Sequence, residues 1–449
     1  MKKTIKLAVV AALALGATSA FATNGDNLIG FGAKARGMAG TGIGMSHGAE
    51  SALSNPALIK SNEVSFGGTV FMPDVNAKDS VAAPFGQPNS YAKSNSDLSV
   101  IPEVALSVKV NDNFTWGIGM YGVAGMGVDY RDDQAVFGNP PSPTGPQNAY
   151  AGTMSGTNNM LTNLQLMRFA VPLAYHMDNF SVAISPILQY GSLSIAYNAG
   201  QYYSDAGGNN HNTMTGRGVS QDFGLGYNIG LSYEMSGLTL GAVYTSAIDM
   251  SYDHQISDAT KQFGLKNGAG LSDHLEQPAE YGIGASYKFG ENTIAIDYKN
   301  IQWSSAKGYE DFKWDDQNVI AIGYEYATTD WAVRLGYNYA SNPIKEQKAA
   351  SMATDYDGAV INYFNAIGFP ATTKSHYAIG GTYNISKTFG VDLAYTYAPK
   401  VTESYDTSAM TQAQLYGAGV PANQAATAKS SASVTHSQQA VTVAMTIKF

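Results

Sequence analysis

The stretch Asp222-Phe223-Gly224-Leu225-Gly226-Tyr227-Asn228-Ile229-Gly230-Leu231-Ser232-Tyr233 decides the fold. Phe223, Leu225, Tyr227, Ile229, Leu231 and Tyr233 share one parity; Asp222, Gly224, Gly226, Asn228, Gly230 and Ser232 share the other. Side chains alternate across a strand with period two, so one face is greasy and aromatic and the other small and polar. The contrast recurs where Trp331, Val333, Leu335, Tyr337 and Tyr339 oppose Ala332, Arg334, Gly336, Asn338 and Ala340. It recurs at the C-terminus, where Val441, Val443, Met445, Ile447 and Phe449 oppose Thr442, Ala444, Thr446 and Lys448. Strands of a soluble sandwich average about five or six residues, and many segments here run longer. About 9 to 11 tilted residues cross a bilayer, and a closed barrel leaves no backbone group unpaired in hydrocarbon.

Working outward, the same reading predicts fourteen strands: 63–74, 98–110, 114–125, 161–177, 180–196, 219–235, 238–250, 277–289, 293–302, 318–327, 331–340, 375–385, 389–398 and 433–449. Tight connections such as Asn111-Asp112-Asn113, Asp178-Asn179, Ser236-Gly237 and Gly290-Glu291-Asn292 carry turn chemistry and are expected in the periplasm. The long ones, 75–97, 126–160, 197–218, 251–276, 303–317, 341–374 and 399–432, are expected outside. They are rich in Asn, Ser, Gly and Pro, with apolar patches such as Ile361 to Pro370. The fold class is all-β: a 14-stranded antiparallel transmembrane barrel with an N-terminal plug in its lumen.

Composition agrees. The 449 residues include 48 Gly, 29 Tyr and 17 Phe, only 14% are charged, and Cys is absent. Thiolate chemistry and disulfides are therefore excluded. A net charge of -9 without a basic cluster speaks against nucleic acid. Mean hydropathy is only -0.14, as expected when half of each strand faces a wet lumen.

At the N-terminus Lys2, Lys3 and Lys6 precede an apolar run from Leu7 to Leu15 and the small residues that end at Ala20-Phe21-Ala22, the pattern of a secretory signal peptide. Residues 1–22 are expected to be removed, residues 23–62 to form the plug and residues 63–449 the barrel. The plug is read from Leu28, Ile29, Phe31, Met38, Ile43, Met45, Leu53, Leu58 and Ile59, which are too apolar for a solvated linker. A lumen this wide is not filled by wall side chains alone.

Gly30-Phe31-Gly32-Ala33-Lys34-Ala35-Arg36-Gly37-Met38-Ala39-Gly40 and Gly48-Ala49-Glu50-Ser51-Ala52-Leu53-Ser54-Asn55-Pro56-Ala57-Leu58-Ile59 carry a family resemblance. The chain resembles the FadL/TodX family of outer-membrane transporters for hydrophobic molecules, with Asn55-Pro56-Ala57 matching the family's NPA motif in its hatch. The resemblance implies passive uptake of hydrophobic compounds, most simply long-chain fatty acids, by a monomer in the outer membrane of a Gram-negative bacterium. Its surroundings are outer-membrane lipid and lipopolysaccharide, and the C-terminal Phe449 resembles the signal read by the barrel-assembly machinery. It implies lumenal binding and sideways exit where the third strand kinks inward, and the glycines around Gly122, Val123, Ala124 and Gly125 suit such a kink. The hatch residues Asn55, Pro56 and Ala57 are then expected beside that kink. The N-terminal residues Thr23 and Asn24, within the stretch that ends at Asn27, are expected to move on ligand binding.

Strand parity puts Arg168, Lys299 and Arg334 in the lumen, where a fixed cation in low dielectric suits a carboxylate. His176, Glu103, Asp297, Glu325 and Asp392 share that face. The resemblance also implies basic residues in the fifth strand near a bound carboxylate. This chain has Tyr190-Gly191-Ser192-Leu193-Ser194-Ile195 instead, which keeps uncharged aromatic or aliphatic hydrocarbons open as the ligand. General porin and adhesin stand as alternatives of another class. No enzyme, cofactor or metal is expected. The seven His show no ligand spacing, no G-x-S-x-G elbow occurs, and Gly40-Thr41-Gly42-Ile43-Gly44 lacks the Lys and context of a phosphate loop.

Overall fold

The structure, a computed structural model, describes residues 24–81, 90–132, 157, 159–204 and 210–449. The signal segment 1–22 and Thr23 lie outside these residues. Fourteen strands form the wall: β1 (Glu63–Asp79), β2 (Ser90–Lys93 and Ser99–Lys109), β3 (Phe114–Asp129), β4 (Leu161–Ala170 and Leu173–Met177), β5 (Phe180–Ser204), β6 (Asn210–Thr215 and Val219–Met235) and β7 (Leu238–Thr245), followed by β8 (Glu280–Phe289), β9 (Asn292–Ile301), β10 (Gln317–Ala327), β11 (Trp331–Ala340), β12 (Ser375–Asn384), β13 (Phe389–Asp406) and β14 (Ser431–Lys448). Each pairs antiparallel with the next, and β14 returns to β1 from Glu63↔Lys448 to Asp79↔Ala432, which closes the barrel.

The alternation governs which way side chains point. Phe223, Leu225, Ile283, Ile296, Leu335 and Leu393 are exposed on the outer wall, while Asn228, Ser232, Asp297, Arg334, Asn338 and Asp392 are buried toward the lumen. In water an exposed greasy band of this size is a liability; in lipid it is the solvated surface. No helix among the described residues is long and apolar enough to cross a membrane.

Differences from the predicted spans have physical causes. β1, β5 and β13 run on to Asp79, Ser204 and Asp406, because backbone pairing continues past the lipid-facing band, for β5 with the Asn210–Thr215 part of β6. β7 stops at Thr245 rather than 250, since Ile248 and Met250 leave the wall and are buried in the interior. β4 breaks at Val171-Pro172, where proline has no N–H for the ladder. The outer connections also hold helices that their polar composition conceals: α3 (Ile256–Gln262), α4 (Leu265–Gly268), α5 (Tyr356–Tyr363) leading into the wider turn Phe364–Gly368, α6 (Ser408–Gly417) and α7 (Ala422–Ala425). The Ile361 to Pro370 patch is buried throughout, as a roof over the lumen.

Residues 24–62 lie inside the ring, with the α-helices α1 (Ala33–Gly37) and α2 (Ser51–Ser54) and single 3-10 turns at Gly48–Glu50 and Pro56–Leu58. They contact inward side chains around the wall. Asp297 of β9 accepts the N–H groups of Gly42 (2.6 Å), Ile43 (2.8 Å) and Gly44 (3.3 Å). Ser286 of β8 donates to the Gly44 carbonyl and Asn338 of β11 to that of Ala39. Arg36 pairs with Glu103 of β2 and donates to Thr69 of β1 and Thr442 of β14. Where the segment touches the wall, the wall is bare: a Cβ on Gly241 would meet the Ile43 carbonyl oxygen at 1.8 Å, and one on Gly230 would meet the Asn55 side chain at 2.3 Å. The small parity seen in the sequence is thus the seat of the segment.

Candidate functional site

The ladder between β2 and β3 is incomplete. It runs only from Glu103↔Tyr121 to Lys109↔Thr115. Above it, Ser99 to Pro102 pair with β1 alone, and β3 from Gly122 onward pairs with β4 alone. The β3–β4 register shifts between Gly122 and Ala124, so Val123 is an extra residue, and from Gly119 to Val128 both faces of β3 are buried. A bulge bends its strand and interrupts pairing, and it falls here where the pairing with β2 has ended. At the top the gap is tied by Asn95 N–H to the Asp129 carbonyl (2.8 Å) and Asp129 N–H to the Ser94 hydroxyl (3.0 Å).

The backbone groups that β3 loses to the gap are met by the N-terminal segment. Leu28 N–H donates to the Val123 carbonyl (2.9 Å), Gly125 N–H donates to the Asp26 carbonyl (3.1 Å), and Asn27 bridges Ala124. Leu28 packs with Phe71, Ile101 and Ala440 behind the gap. Asn24 lies buried in this short docked strand; Thr23 lies outside the described residues.

Asn55, Pro56 and Ala57 sit elsewhere. The Asn55 amide donates to the carbonyls of Ile43 (2.8 Å) and Leu231 (3.0 Å), and its oxygen accepts from Ala57 N–H (3.1 Å). Pro56 rests on Gly230 of β6. The expectation that this turn flanks the β3 bulge is therefore corrected. The bare glycines of β6 and β7 admit the turn, whereas the bulge is already occupied by Asp26 to Leu28.

Two of the three cations proposed for a carboxylate share one pocket. Arg168 and Lys299 line it with Glu280 and Asp297, beside Ile29, Phe31, Ile43, Leu53, Val243 and Val319. Its cavity is only about 40 Å³, room for a few waters, because residues of the N-terminal segment fill the rest. Lys299 pairs with Glu280 at 3.3 Å, and Arg168 Nε donates to Gln189 at 2.9 Å. Arg168 Nη2 has no hydrogen-bond partner although the residue is buried. Arg334, by contrast, is bound to Glu325 at 2.7 Å and to the Thr382 hydroxyl, and it lines a separate cavity with Lys34, Trp331, Lys387 and Thr388 near the short turns.

Above the pocket, Asp26 is fully buried and accepts from Tyr309 and from Gln277 (3.1 Å); its Oδ1 has no partner. Burial pushes its carboxyl up to about 6, against the lowering by Tyr309, Gln277 and the charge of Arg168. Trp303 packs against Gly25, and the rings of Trp303, Tyr309 and Trp314 lie 4.6 to 5.2 Å apart. Parity reading misses Asp26 and Tyr309 because neither lies in a strand, and it misses Gln277 because the strand expected from 277 begins only at Glu280. Among the described residues no cluster of three His, Asp or Glu could hold a metal ion.

A family model described as outer membrane protein transport protein (OMPP1/FadL/TodX) matches residues 7–449. The long-chain fatty acid transport protein of Escherichia coli K12 is 23% identical over 448 residues, covering 87% of this chain and 91% of that one. Outer membrane protein P1 of Haemophilus influenzae is 21% identical over 66% of this chain and 65% of its own, and the alignment with the 47 kDa outer membrane protein of Pasteurella multocida spans 46% of that protein. Among solved structures, a Pseudomonas aeruginosa FadL homologue superposes with a TM-score of 0.64 at 16% identity, covering 95% of this chain and all of the other. The Pseudomonas putida toluene transporter TodX gives 0.61 at 18% identity over 94% and 99%. These structures share the fold.

Proposed function

The chain belongs to the OMPP1/FadL/TodX family of outer membrane transport proteins, and from that premise we propose that it takes up hydrophobic carboxylates, of the long-chain fatty acid class, across the outer membrane without energy input. The observation that carries the reading is the shared pocket of Arg168 and Lys299 amid apolar side chains, directly below the strand docked on the β3 bulge. An apolar chain gains about 25 cal/mol per Å² by leaving water, and a guanidinium in a water-poor site gives the head group a charge-assisted partner. The names of the fatty acid transport proteins from Escherichia coli and Shigella flexneri point the same way.

In this reading residues 1–22 are removed on export and residues 23–62 act as the hatch. Ligand enters between the outer loops, lodges with its carboxylate at Arg168 and Lys299, and leaves sideways between β2 and β3 once Asp26 to Leu28 let go of β3. Leaving sideways keeps an apolar chain out of the aqueous periplasm. Arg334 serves the wall rather than the ligand, since its guanidinium is already engaged by Glu325 and Thr382.

The test is uptake of labelled oleate and labelled toluene by cells that lack their own hydrophobe transporter and express this barrel. Arg168→Ala is expected to lower oleate uptake by roughly tenfold or more, the scale of one lost charged hydrogen bond of about 1.5–3 kcal/mol. Toluene uptake unaffected by the change, with no oleate uptake in either form, moves the protein to the hydrocarbon class.

A further inference from the structure

Four charged side chains stand in or next to the pocket: Arg168, Lys299 and Glu280 line it, and Asp26, two residues on from the lining residue Asn24, acts on Arg168 from beside it. Lys299 and Glu280 pair at 3.3 Å on neighbouring wall strands, and Glu280 also accepts from the Asn27 amide at 3.2 Å. Asp297 lines the same pocket, but its charge is taken up by three backbone N–H groups. That leaves Arg168 and Asp26 as the looser couple. Arg168 has a buried nitrogen without a partner, Asp26 a buried oxygen without one, and the Arg168 charge acts on Asp26.

The two differ in what holds them. Arg168 stands on β4 within the closed wall. Asp26 stands on a short docked strand that is held to β3 by the Leu28 and Gly125 hydrogen bonds, and to the outer loops by Tyr309 and Gln277. A carboxylate added beside Arg168 brings a third anion to a group that is balanced without it. In a water-poor site like charges repel far more strongly than in water, and the anion with the weakest mechanical anchor yields.

We infer that Asp26 is a specificity-determining residue that makes the β2–β3 gap answer to anionic ligands: a ligand carboxylate at Arg168 expels the Asp26 side chain by like-charge repulsion, and with it the strand that covers the gap. A neutral hydrocarbon that fills the same pocket leaves the charge balance unchanged and the strand docked. The inference rests on the carboxylate reading of the pocket and adds to it the residue through which binding is felt at the gate.

Asp26→Asn separates the two. Asparagine has the same shape, and its side-chain oxygen accepts the same bonds from Tyr309 and Gln277, so the strand docks as before. The chain has no cysteine, so Asn24→Cys carries the sole spin label; Asn24 also lines the pocket, and toluene, which fills the pocket without a charge, is the control for occupancy alone. With oleate, the labelled protein bearing Asp26 is expected to gain label mobility, and with toluene it is expected to gain none. The Asp26→Asn form is expected to bind oleate at least as tightly, to keep its label immobile, and to lose uptake within the roughly 5- to 150-fold range of site-to-site couplings. Asp26→Glu, which keeps the charge, is expected to restore mobility and uptake. Normal uptake with a mobilised label in Asp26→Asn overturns the inference while the pocket reading stands. Undiminished oleate binding in Arg168→Ala overturns both.

Discussion

Two seams of the same wall are built to opposite ends. Between β14 and β1 the register is unbroken from Glu63↔Lys448 to Asp79↔Ala432. Between β2 and β3 it covers only Glu103 to Lys109, and above it the β3 backbone is met by a segment that belongs to neither strand. Each abandoned N–H or C=O in hydrocarbon costs several kcal/mol, so a break in the wall persists only where something else satisfies the backbone. Asp26 to Leu28 supply that, and a piece of chain that supplies hydrogen bonds can also withdraw them. Ladder length distinguishes the two seams: the long one needs no cover, and the short one has its backbone met by Asp26 to Leu28.

The largest expected effect comes from fixing the cover. Asn27→Cys with Ala124→Cys places thiols on bridge partners, whose Cα atoms lie about 4.5–5.5 Å apart in antiparallel pairs, within reach of a disulfide. Oxidation is expected to abolish uptake and reductant to restore it. The same tie at Val70↔Val441, on the continuous seam, is expected to leave uptake unchanged. If both oxidised forms transport alike, the difference between the seams has no bearing on passage.

Acidity sharpens the comparison from the other side. Asp26 titrates near 6 when docked and near its ordinary 3.8 when free. The docked form therefore holds its proton more tightly, and docking is strongest below pH ~4, weakens as pH rises toward ~6, and is constant above. The groups facing the carboxyl are Tyr309, Gln277, Arg168 and Glu280. The full difference is on the order of 3 kcal/mol by the usual 1.36 kcal/mol per unit. Label mobility at residue 24 is expected to rise between pH 4 and pH 6.5, while a label on β14 is expected to show no change.

How much of this was legible in the sequence follows from range. Period-two parity is local, so the facing of Arg168, Lys299, Arg334 and Asp297 could be read residue by residue. Glycine content singled out Gly122 to Gly125, where the register shifts. The seat of Asn55 could not be read, since it depends on Gly230 and Gly241 far along the chain presenting bare backbone. The Asp26 contacts were hidden for the same reason: Tyr309 lies in an outer connection with no alternation to follow, and Gln277, read as the start of the strand 277–289, stands ahead of β8. Helices such as α5 escaped because the Asn and Gly around them read as loop, while Ala359, Val360 and Ile361 are buried beneath the roof.

A smaller effect tests the clasp that holds the rest of the segment. Asp297→Asn weakens acceptance from the Gly42, Ile43 and Gly44 N–H groups, a loss of about 1.5–3 kcal/mol for charged hydrogen bonds. Leakage of small polar solutes in liposome swelling is expected to rise, with oleate uptake changed little. Tight liposomes with the variant would mean that the segment is held by its glycine seats alone.

Arg36 ties the continuous seam to the segment beneath it, for it reaches Thr69 on one side of that seam and Thr442 on the other while neutralising Glu103. The first and last strands of a barrel meet only when the chain is complete. A segment seated with Arg36 away from that seam would cover Glu103 and leave it with no cation, a penalty of several kcal/mol. Closing the cylinder and seating its stopper are in that sense one event, and a chain assembled in the wrong order carries the mark of its error as an orphaned charge.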